Sequence, residues 1–454
     1  MRGFTLPLFS RKAKTSRQGL YEKQSPDGNR IHLRIDADGS GVLWVNANQT
    51  FYLNPSAGLM AWCLITQKSD REIERIFKEE YPQDAQRAVA DFKTFAPQIN
   101  GLLSGQNSVC DLCLSGISSV MPFSAQPSAP YRMDLAVTYG CNNQCPHCYN
   151  DKNRIGKTLP LSDWKRILQK IVDVGIPHVV FTGGEPTVFP LLPELITEAE
   201  KLGLITGINT NGRRLKDPEF VADLKARKLD HIQVTLESDR EEIHDAMVGC
   251  RGAWKETVAG IRNAVDSGLY LMTNTTLLRC NASESHIRSL LLFLAEIGVK
   301  TVGLNALIYS GSGKTVRTGI DESELPALTE TASRLCIEHG QRLIWYTPTQ
   351  YCYFDPLEHH LGVKGCSAAR YSMCIEPDGT VLPCQSWYEG VGNILENTWD
   401  EIWNAPLCQR IRGRKVIPAG CSTCERLQEC GGGCPLAQEF KPPVIPRQTI
   451  PSCF

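Results

Sequence analysis

The chain has 454 residues, of which 42% are hydrophobic and 21% charged, and its formal net charge is −1. That length predicts two to four domains. The near-neutral charge removes any global electrostatic case for a nucleic-acid partner, and no apolar run approaches the ~20 residues that span a bilayer. The outlier is cysteine, with 19 residues. Disulfide-dense proteins are usually small and secreted, whereas this chain is long and bunches its cysteines near the end, so metal or cluster ligation is the better reading.

Residues 1–19 carry Arg2, Arg11, Lys12, Lys14 and Arg17 without an acid. The apolar stretch 4–9 is broken by Pro7 and is too short for the core of a signal peptide. The segment reads as a disordered basic tail. Nothing argues for export, and the chain is expected in the cytoplasm.

Residues 20–104 read as a small domain. Ile31-His32-Leu33-Arg34-Ile35 alternates, a turn follows, and Val42-Leu43-Trp44-Val45 resumes, which is a hairpin signal. Phe51-Tyr52-Leu53 is a third strand. Asn54 followed by Pro55 starts a helix with Leu59, Trp62 and Cys63 on one face. Ser69 and Glu72 form a capping box for a second helix, with Ile73, Ile76 and Phe77 inward. A third helix from Asp84 turns Val89, Phe92 and Phe95 inward. Residues 105–130 are a linker rich in Ser, Pro and Gly; its Cys110-x2-Cys113 pair could start a metal site but not complete one.

From residue 131 the pattern alternates. Strands are expected at 133–138, 178–182, 204–209, 231–236, 271–277 and 301–308, with helices at 162–174, 191–202, 218–228, 253–267, 284–297 and 322–339. Repeated βα units predict an α/β domain with a parallel sheet. Six units make a partial (β/α)6, TIM-like barrel over 131–345, and catalytic groups on such sheets gather at the C-terminal strand ends.

The motifs fall there. After the first strand come Cys141, Cys145 and Cys148, spaced C-x3-C-x2-C. Thiolates are soft ligands for iron–sulfur clusters, zinc or Cu(I). Three on one loop would hold three irons of a [4Fe–4S] cube and leave the fourth open, since the ordinary cluster site uses four cysteines. With His147 as a fourth ligand the loop could also close around zinc. The second strand ends in Thr182-Gly183-Gly184-Glu185-Pro186. The glycines let a ligand approach the backbone, and Glu185 offers a carboxylate to a cationic amine. The fourth strand ends in Leu236-Glu237-Ser238. Ser310-Gly311-Ser312-Gly313-Lys314-Thr315 looks like a phosphate loop but has Ile308 where that motif needs glycine; it reads as a turn or a channel wall. Over 346–454 run Cys366, then Gly379-x4-Cys384, then Cys421-x2-Cys424-x5-Cys430-x3-Cys434, and Cys453. Cys63, Cys250, Cys280, Cys336 and Cys408 lie on apolar or helical stretches, where buried structural thiols are the default.

C-x3-C-x2-C followed one βα unit later by Gly-Gly-Glu resembles the radical S-adenosylmethionine (SAM) enzymes. The resemblance implies that the open iron chelates the amino and carboxylate groups of SAM and that Tyr149 lies near the adenine. It also implies that Gly183, Gly184 and Glu185 bind the amino group. Glu237 and Ser238 match, by residue type, the family's contacts near the ribose and carboxylate. The segments 243–245 and 252–254 are similar to the family's next stretch, although Val248-Gly249 stands where relatives carry Arg before Gly, and Arg251 is out of register.

The C-terminal cysteines resemble the SPASM domain, which carries two auxiliary [4Fe–4S] clusters. By position, Cys366, Cys384 and Cys434 would ligate the first, with Cys352 as the preferred fourth ligand, Cys374 the alternative, or an open iron. Cys421, Cys424, Cys430 and Cys453 would ligate the second; a pair of zinc sites is the alternative for the whole set. Residues 20–104, strands then helices with Leu-Asn-Pro-Ser-Ala at the junction, look like the winged-helix-like RiPP recognition element, to whose sheet edge a leader peptide adds as a strand.

The whole arrangement resembles peptide maturases such as the subtilosin-type thioether-forming enzymes. Gln385, where sulfatase-maturing relatives carry Asp, argues against that activity. The resemblance implies reductive cleavage of SAM to a 5′-deoxyadenosyl radical. Hydrogen abstraction from a ribosomally made precursor peptide would follow, leading to a thioether or carbon–carbon crosslink, epimerisation, decarboxylation or excision. A reductant such as flavodoxin or ferredoxin is implied. The alternatives are a radical SAM enzyme acting on a small molecule such as a haem precursor, and a non-catalytic peptide-binding or electron-transfer protein.

Overall fold

A computed structural model describes residues 17–24, 30–46, 49–103, 127–150 and 158–441. Residues 1–16 of the basic tail, the Cys110–Cys113 pair and Cys453 fall outside the described residues; the rest of the expected tail is ordered, with Arg17 paired to Glu80 at 2.6 Å and Gly19 opening the first strand. The chain divides into two compact units, 1–129 with 171–177 and 130–170 with 178–454. Among the described residues no helix is long and apolar enough to cross a membrane.

The first unit is a four-stranded antiparallel sheet in the order β1 (Gly19–Gln24), β2 (Arg30–Ile35), β3 (Gly41–Val45), β4 (Gln49–Leu53). Three helices follow, α1 (Pro55–Ile65), α2 (Asp70–Glu80) and α3 (Ala85–Leu103). The capping residues act as the sequence predicts. Asn54 Oδ1 accepts the Ala57 N–H at 2.8 Å, and Ser69 and Glu72 form a reciprocal box at the start of α2, each cap worth ~1 kcal/mol. Ile31, Leu33, Leu43, Leu53, Phe77, Phe92 and Ile99 make one core with α1, at roughly 1.5–3 kcal/mol for each large side chain removed from water. The addition is β1. It is an edge strand whose residues stay half-exposed or exposed, so Gly19–Gln24 lacks the apolar alternation that a core-facing strand shows.

The second unit holds a nine-stranded sheet in the order β11-β10-β9-β8-β7-β6-β5-β12-β13. Six strands match the expected ones: β5 (Arg132–Thr138), β6 (His178–Gly183), β7 (Ile205–Thr210), β8 (His231–Thr235), β9 (Tyr270–Leu277) and β10 (Thr301–Ala306). All are parallel to their neighbours. Helices α4 (Leu161–Asp173), α5 (Leu192–Lys201), α6 (Pro218–Ala226), α7 (Glu241–Val248), α8 (Ala253–Ser267), α9 (Glu284–Glu296) and α10 (Leu325–Glu338) make the returns. Chain order and spatial order coincide from β5 to β10, as successive crossovers of one hand require.

Three strands go beyond the expectation. β11 (Arg342–Trp345) adds parallel to β10. β12 (Ser372–Ile375) pairs parallel with β5, and β13 (Val381–Leu382) pairs antiparallel with β12. The segment assigned by sequence to a separate cysteine-rich domain therefore extends the core sheet beside β5, the strand that leads into the first cysteine loop. Four short helices close the described chain, α11 (Trp399–Trp403), α12 (Pro406–Arg412), α13 (Leu427–Cys430) and α14 (Pro435–Phe440).

Candidate active site

The loop of Cys141, Cys145 and Cys148 leaves the C-terminal end of β5 and is held on three sides. From the end of β7, Asn211 Nδ2 donates to Asn142 Oδ1 at 2.6 Å, and Arg213 donates to Asn142 O and to Asn143 Oδ1 at 2.9 Å. Glu256 fixes the other edge of that guanidinium, Nε to Oε2 at 2.7 Å. From the end of α7, Val248 O accepts the Gln144 N–H at 2.9 Å. From the turn after β10, Gly313 donates its N–H to Cys148 O at 3.3 Å. The segment that mimics a phosphate loop is thus a backstop for the cysteine loop. Burial, then the neighbouring Cys148, Glu237 and Cys141, pushes the Cys145 thiol well above its ordinary range. Burial likewise pushes Cys141 up to about 11, so without a ligand these two thiols keep their protons, and a strongly cationic partner would convert them to thiolates.

The Gly-Gly-Glu turn lies against the entry to this loop. Gly184 donates to Thr138 O at 2.7 Å and Glu185 to Gly140 O at 2.9 Å. Gly183 has φ of +128°, and a Cβ there would sit 2.0 Å from Thr138 O; one on Gly184 would sit 2.4 Å from Gly140 O. The close approach that demands these glycines is made by the chain's own backbone. Asn150 Nδ2 adds a bond to Gly183 O at 2.5 Å. The Glu185 carboxylate is buried and used internally: Oε1 accepts from Thr187 N at 3.0 Å, Thr187 Oγ1 at 2.6 Å and Thr210 Oγ1 at 2.6 Å, while Oε2 accepts from Asn211 N at 2.7 Å. Burial raises its pKa against these four donors, which favour the charge. Glu185 ties the ends of β6 and β7 to each other, and through Asn211 to the cysteine loop.

Glu237 and Ser238 are also taken up by the protein. Glu237 Oε1 meets His147 Nε2 at 3.1 Å, and Oε2 accepts the Thr276 N–H at 2.7 Å. Asn281 Nδ2 donates to the Glu237 carbonyl at 2.8 Å. Ser238 Oγ accepts the Arg240 N–H at 3.1 Å, a local turn. His147, the residue that could close a zinc site, therefore directs Nε2 at Glu237 and braces the cysteine loop against the ends of β8 and β9. His244 Nδ1 accepts the Glu237 N–H at 3.1 Å, and burial holds its pKa down at about 4. Asp245 caps α8, accepting from Gly252 N at 2.5 Å and Trp254 N at 2.8 Å, which accounts for the 243–245 and 252–254 segments.

Tyr149 turns toward the C-terminal segment. Its hydroxyl donates to Gln385 Oε1 at 3.3 Å, and its carbonyl accepts from the Tyr388 hydroxyl. Ser310 Oγ donates to Ser386 O at 2.6 Å. Residues 385–388, directly after Cys384, thus contact both the cysteine loop and its backstop. Burial raises the Tyr149 pKa, so the hydroxyl keeps its proton as a donor.

The C-terminal cysteines fall into two groups. Cys366 feels the charges of Cys434 and Cys384, and Cys384 that of Cys434; burial is the first cause in both, and it pushes Cys384 up to about 12. Cys421 feels Cys430, Cys352 and Cys424, and Cys352 feels Cys430 and Cys424. Cys352, the fourth ligand of the first set that the sequence reading preferred, follows Tyr351, whose N–H donates to Cys430 Sγ at 3.4 Å. Cys374 is a packing residue in β12, buried with Ala136 and Leu382. Of the thiols expected to be structural, Cys63, Cys336 and Cys408 are buried, whereas Cys250 and Cys280 are half-exposed, and Cys250 lies beside Arg213.

Residues 135–294 match the Radical SAM superfamily, and residues 366–425 match SPASM, an iron–sulfur cluster-binding domain. The chain carries a radical SAM domain and a SPASM domain. Its cofactors are SAM, the radical SAM [4Fe–4S] cluster and auxiliary iron–sulfur clusters. The enzyme is 28% identical over 317 residues to the PqqA peptide cyclase of Gluconobacter oxydans (strain 621H), covering 68% of this chain and 86% of that protein. Its fold is that of Streptococcus suis SuiB, solved with the precursor peptide SuiA, at a TM-score of 0.66, 18% identity and coverage of 93% and 97% of the two chains. Native anSMEcpe with bound AdoMet aligns over 69% of this chain and 91% of that one, at a TM-score of 0.55 and 16% identity.

The residues of the radical SAM enzyme suit these groups. A [4Fe–4S] cluster takes one thiolate per iron and suits thiols spread along a loop, as Cys141, Cys145 and Cys148 are. The residues that hold the loop went unread in the sequence: Arg213, Asn211, Thr210, Thr187 and Asn150. One signal was available. Asn211-Gly212-Arg213 directly follows a strand of the parallel sheet, where functional side chains collect.

Proposed function

We propose that this radical SAM/SPASM enzyme modifies a ribosomally made precursor peptide. The supporting observation is the combination of the two matched domains with an N-terminal unit whose sheet, among the described residues, ends at β1 on one side and β4 on the other. An extended leader peptide could add to such an edge through main-chain hydrogen bonds, which is the role of a RiPP recognition element. The relative named as a peptide cyclase and the structural neighbour solved with a precursor peptide point the same way. Thioether formation of the subtilosin type, a carbon–carbon crosslink, epimerisation, decarboxylation and excision all fit this reading.

The proposed cofactor set follows the cysteine groups. Cys141, Cys145 and Cys148 hold the SAM-binding cluster, and Cys366, Cys384 and Cys434 contribute to the first auxiliary one. Held by Cys141, Cys145 and Cys148 and reduced by a flavodoxin or ferredoxin, the SAM-binding cluster would supply, with SAM, a 5′-deoxyadenosyl radical. The chain's own part is positional. Arg213, Asn211 and His147 fix the cysteine loop, and Glu185 locks the neighbouring strand ends, so the loop is held before any ligand arrives. Gly183 and Gly184 bring the β6 turn hard against the loop's entry, and the turn offers backbone rather than the Glu185 carboxylate. Glu237, with both oxygens engaged, acts as a brace for the loop.

Mass spectrometry tests the substrate class. Reconstituted full-length enzyme is incubated with SAM, reductant and the short peptides encoded beside its gene. A mass change in one peptide, matched by 5′-deoxyadenosine, is the expected result. 5′-Deoxyadenosine formed with a haem precursor and with no peptide would reject the peptide reading.

A further inference from the structure

Between Glu401 and Glu425 the sequence holds Arg410, Arg412, Arg414 and Lys415 and no acid, in a chain whose formal net charge is −1. The stretch lies inside the matched SPASM residues 366–425. Arg410 and Arg412 occupy the last turn of α12, where cations offset the carbonyls of a helix end. Arg412 spends its guanidinium on backbone, donating to Trp403 O and, at 2.9 Å, to Ala369 O, and it lies 4.2 Å from the Trp403 ring centre. Arg414 donates to the carbonyls of Leu427 and Gln428. These bonds tie the basic turn to α13, the helix that ends in Cys430. Burial, then the charge of Arg370, holds the Arg414 pKa down, while Cys430 favours its charge, so a fifth cation stands close by. Arg410 and Lys415 are exposed. Among the described residues none of the four cations at 410–415 pairs with a carboxylate. The preceding acids are used locally: Glu401 Oε2 accepts the Thr398 N–H at 2.8 Å, and Asp400 Oδ1 accepts from Asn404 Nδ2 at 2.8 Å.

We propose that the face built on Arg410, Arg412, Arg414 and Lys415 is the docking surface for an acidic one-electron carrier protein of the flavodoxin or ferredoxin kind, which meets the enzyme at the SPASM segment and not at the loop of Cys141, Cys145 and Cys148. The inference rests on the reductant named in the proposed function and goes beyond it by giving that reductant a place. Like charges gathered on one exposed turn attract an oppositely charged partner and speed its encounter. Arg414 adds a physical link, since it holds the face to the segment that carries Cys421, Cys424 and Cys430. In the docked complex one electron passes from the reduced carrier to an auxiliary iron–sulfur cluster. The carrier is oxidised by one electron, the cluster is reduced by one, and no covalent bond forms or breaks.

The test uses full-length, anaerobically reconstituted enzyme with a flavodoxin as the probe. Binding is measured by titration calorimetry and the electron step by stopped-flow loss of the flavodoxin hydroquinone, each at low and at high ionic strength. The double variant Arg410→Glu/Lys415→Glu is expected to bind more weakly and to lower the bimolecular rate about tenfold at low salt. The difference should close at high salt, where screening removes it. Lys300→Glu, a reversal at an exposed cation elsewhere, is expected to change neither. Formation of 5′-deoxyadenosine with dithionite, a small reductant that needs no docking surface, should be equal in all three proteins, which a folding defect would not allow. Flavodoxin binding and rate unchanged in the double variant would overturn the assignment, as would equal losses in Lys300→Glu. Weaker binding of an acidic precursor peptide, with flavodoxin unaffected, would give the face to the peptide and overturn it too. Dithionite-driven cleavage by the unaltered enzyme, with neither binding nor electron transfer from flavodoxin, would instead reject the reductant on which the inference rests.

Discussion

Cys141, Cys145 and Cys148 share one loop, whereas Cys352, Cys366, Cys384, Cys421, Cys424, Cys430 and Cys434 gather from segments far apart in sequence. In the first region the ligands are close by covalent connection, and the fold's task is to clamp their loop. Side chains from the ends of β7 and β8 and backbone groups from the end of α7 and the turn after β10 do so. In the second region the cysteines lie on separate segments, and a sheet extension and one Arg–Asp pair help to hold those segments in place. A local site can thus be lost by unclamping, while a composite site is lost when one of its segments detaches.

The largest effect expected from breaking this contrast is at Cys145. Cys145→Ala should reduce 5′-deoxyadenosine formation to background while auxiliary iron remains, measured by chromatography and iron analysis on one preparation. Cleavage that survives in this variant would reject the loop as the radical site. Next come the glycines behind the loop. Gly184→Ala drives a methyl into the Tyr139 and Gly140 carbonyls and should cost roughly 3 kcal/mol or more, read as a lowered denaturation midpoint of the apoprotein.

An intermediate effect is expected from the clamp. Arg213→Ala removes the bonds to Asn142 and Asn143. It should lower retention of the first cluster and turnover about tenfold, as the loss of one or two charge-assisted hydrogen bonds implies, and leave auxiliary iron intact. The composite region has a matching probe. Asp355→Asn weakens the pair with Arg426 and should reduce auxiliary iron without touching the first cluster. Equal loss of both clusters in either variant would erase the distinction between the two regions.

The smallest effect concerns a pair away from both sites. His231 Nε2 meets His178 Nε2 at 2.7 Å, and burial, then Arg132, holds the His231 pKa down at about 4 from an ordinary 6.5. The folded state keeps His231 neutral where the unfolded chain takes a proton. Its contribution is present above pH 6.5 and is lost as the pH falls from there through about 4, up to roughly 3 kcal/mol. Urea titrations of the apoprotein across that interval should show the decline, and His231→Gln should flatten it.

Much of the core was legible. The strand at 178–183 is centred on the apolar run Val179-Val180-Phe181 shortly before Gly-Gly-Glu, and the helix at 253–267 shows its period and its flanking glycines. β12 and β13 were not legible, because four and two residues carry too short a pattern to separate from loop. Among the site residues, Cys141, Cys145 and Cys148 were visible through spacing. The part played by Glu185 was not: sequence offers it to a ligand, and the fold spends both carboxylate oxygens on Thr187, Thr210 and Asn211.

The sequence by itself determined the local chemistry: a soft three-thiol loop after a strand, a glycine turn one βα unit later, and a reserve of cysteines near the end. Such features depend on neighbours a few residues apart, and spacing records them directly. Only the tertiary structure decided which distant segments lie side by side. Cys352 is nearer in sequence to Cys366 than to Cys430, yet the turn at 349–355 and the Arg426–Asp355 pair carry it to Cys430. Proximity across a fold is set by packing and long-range hydrogen bonds, which sequence separation does not encode.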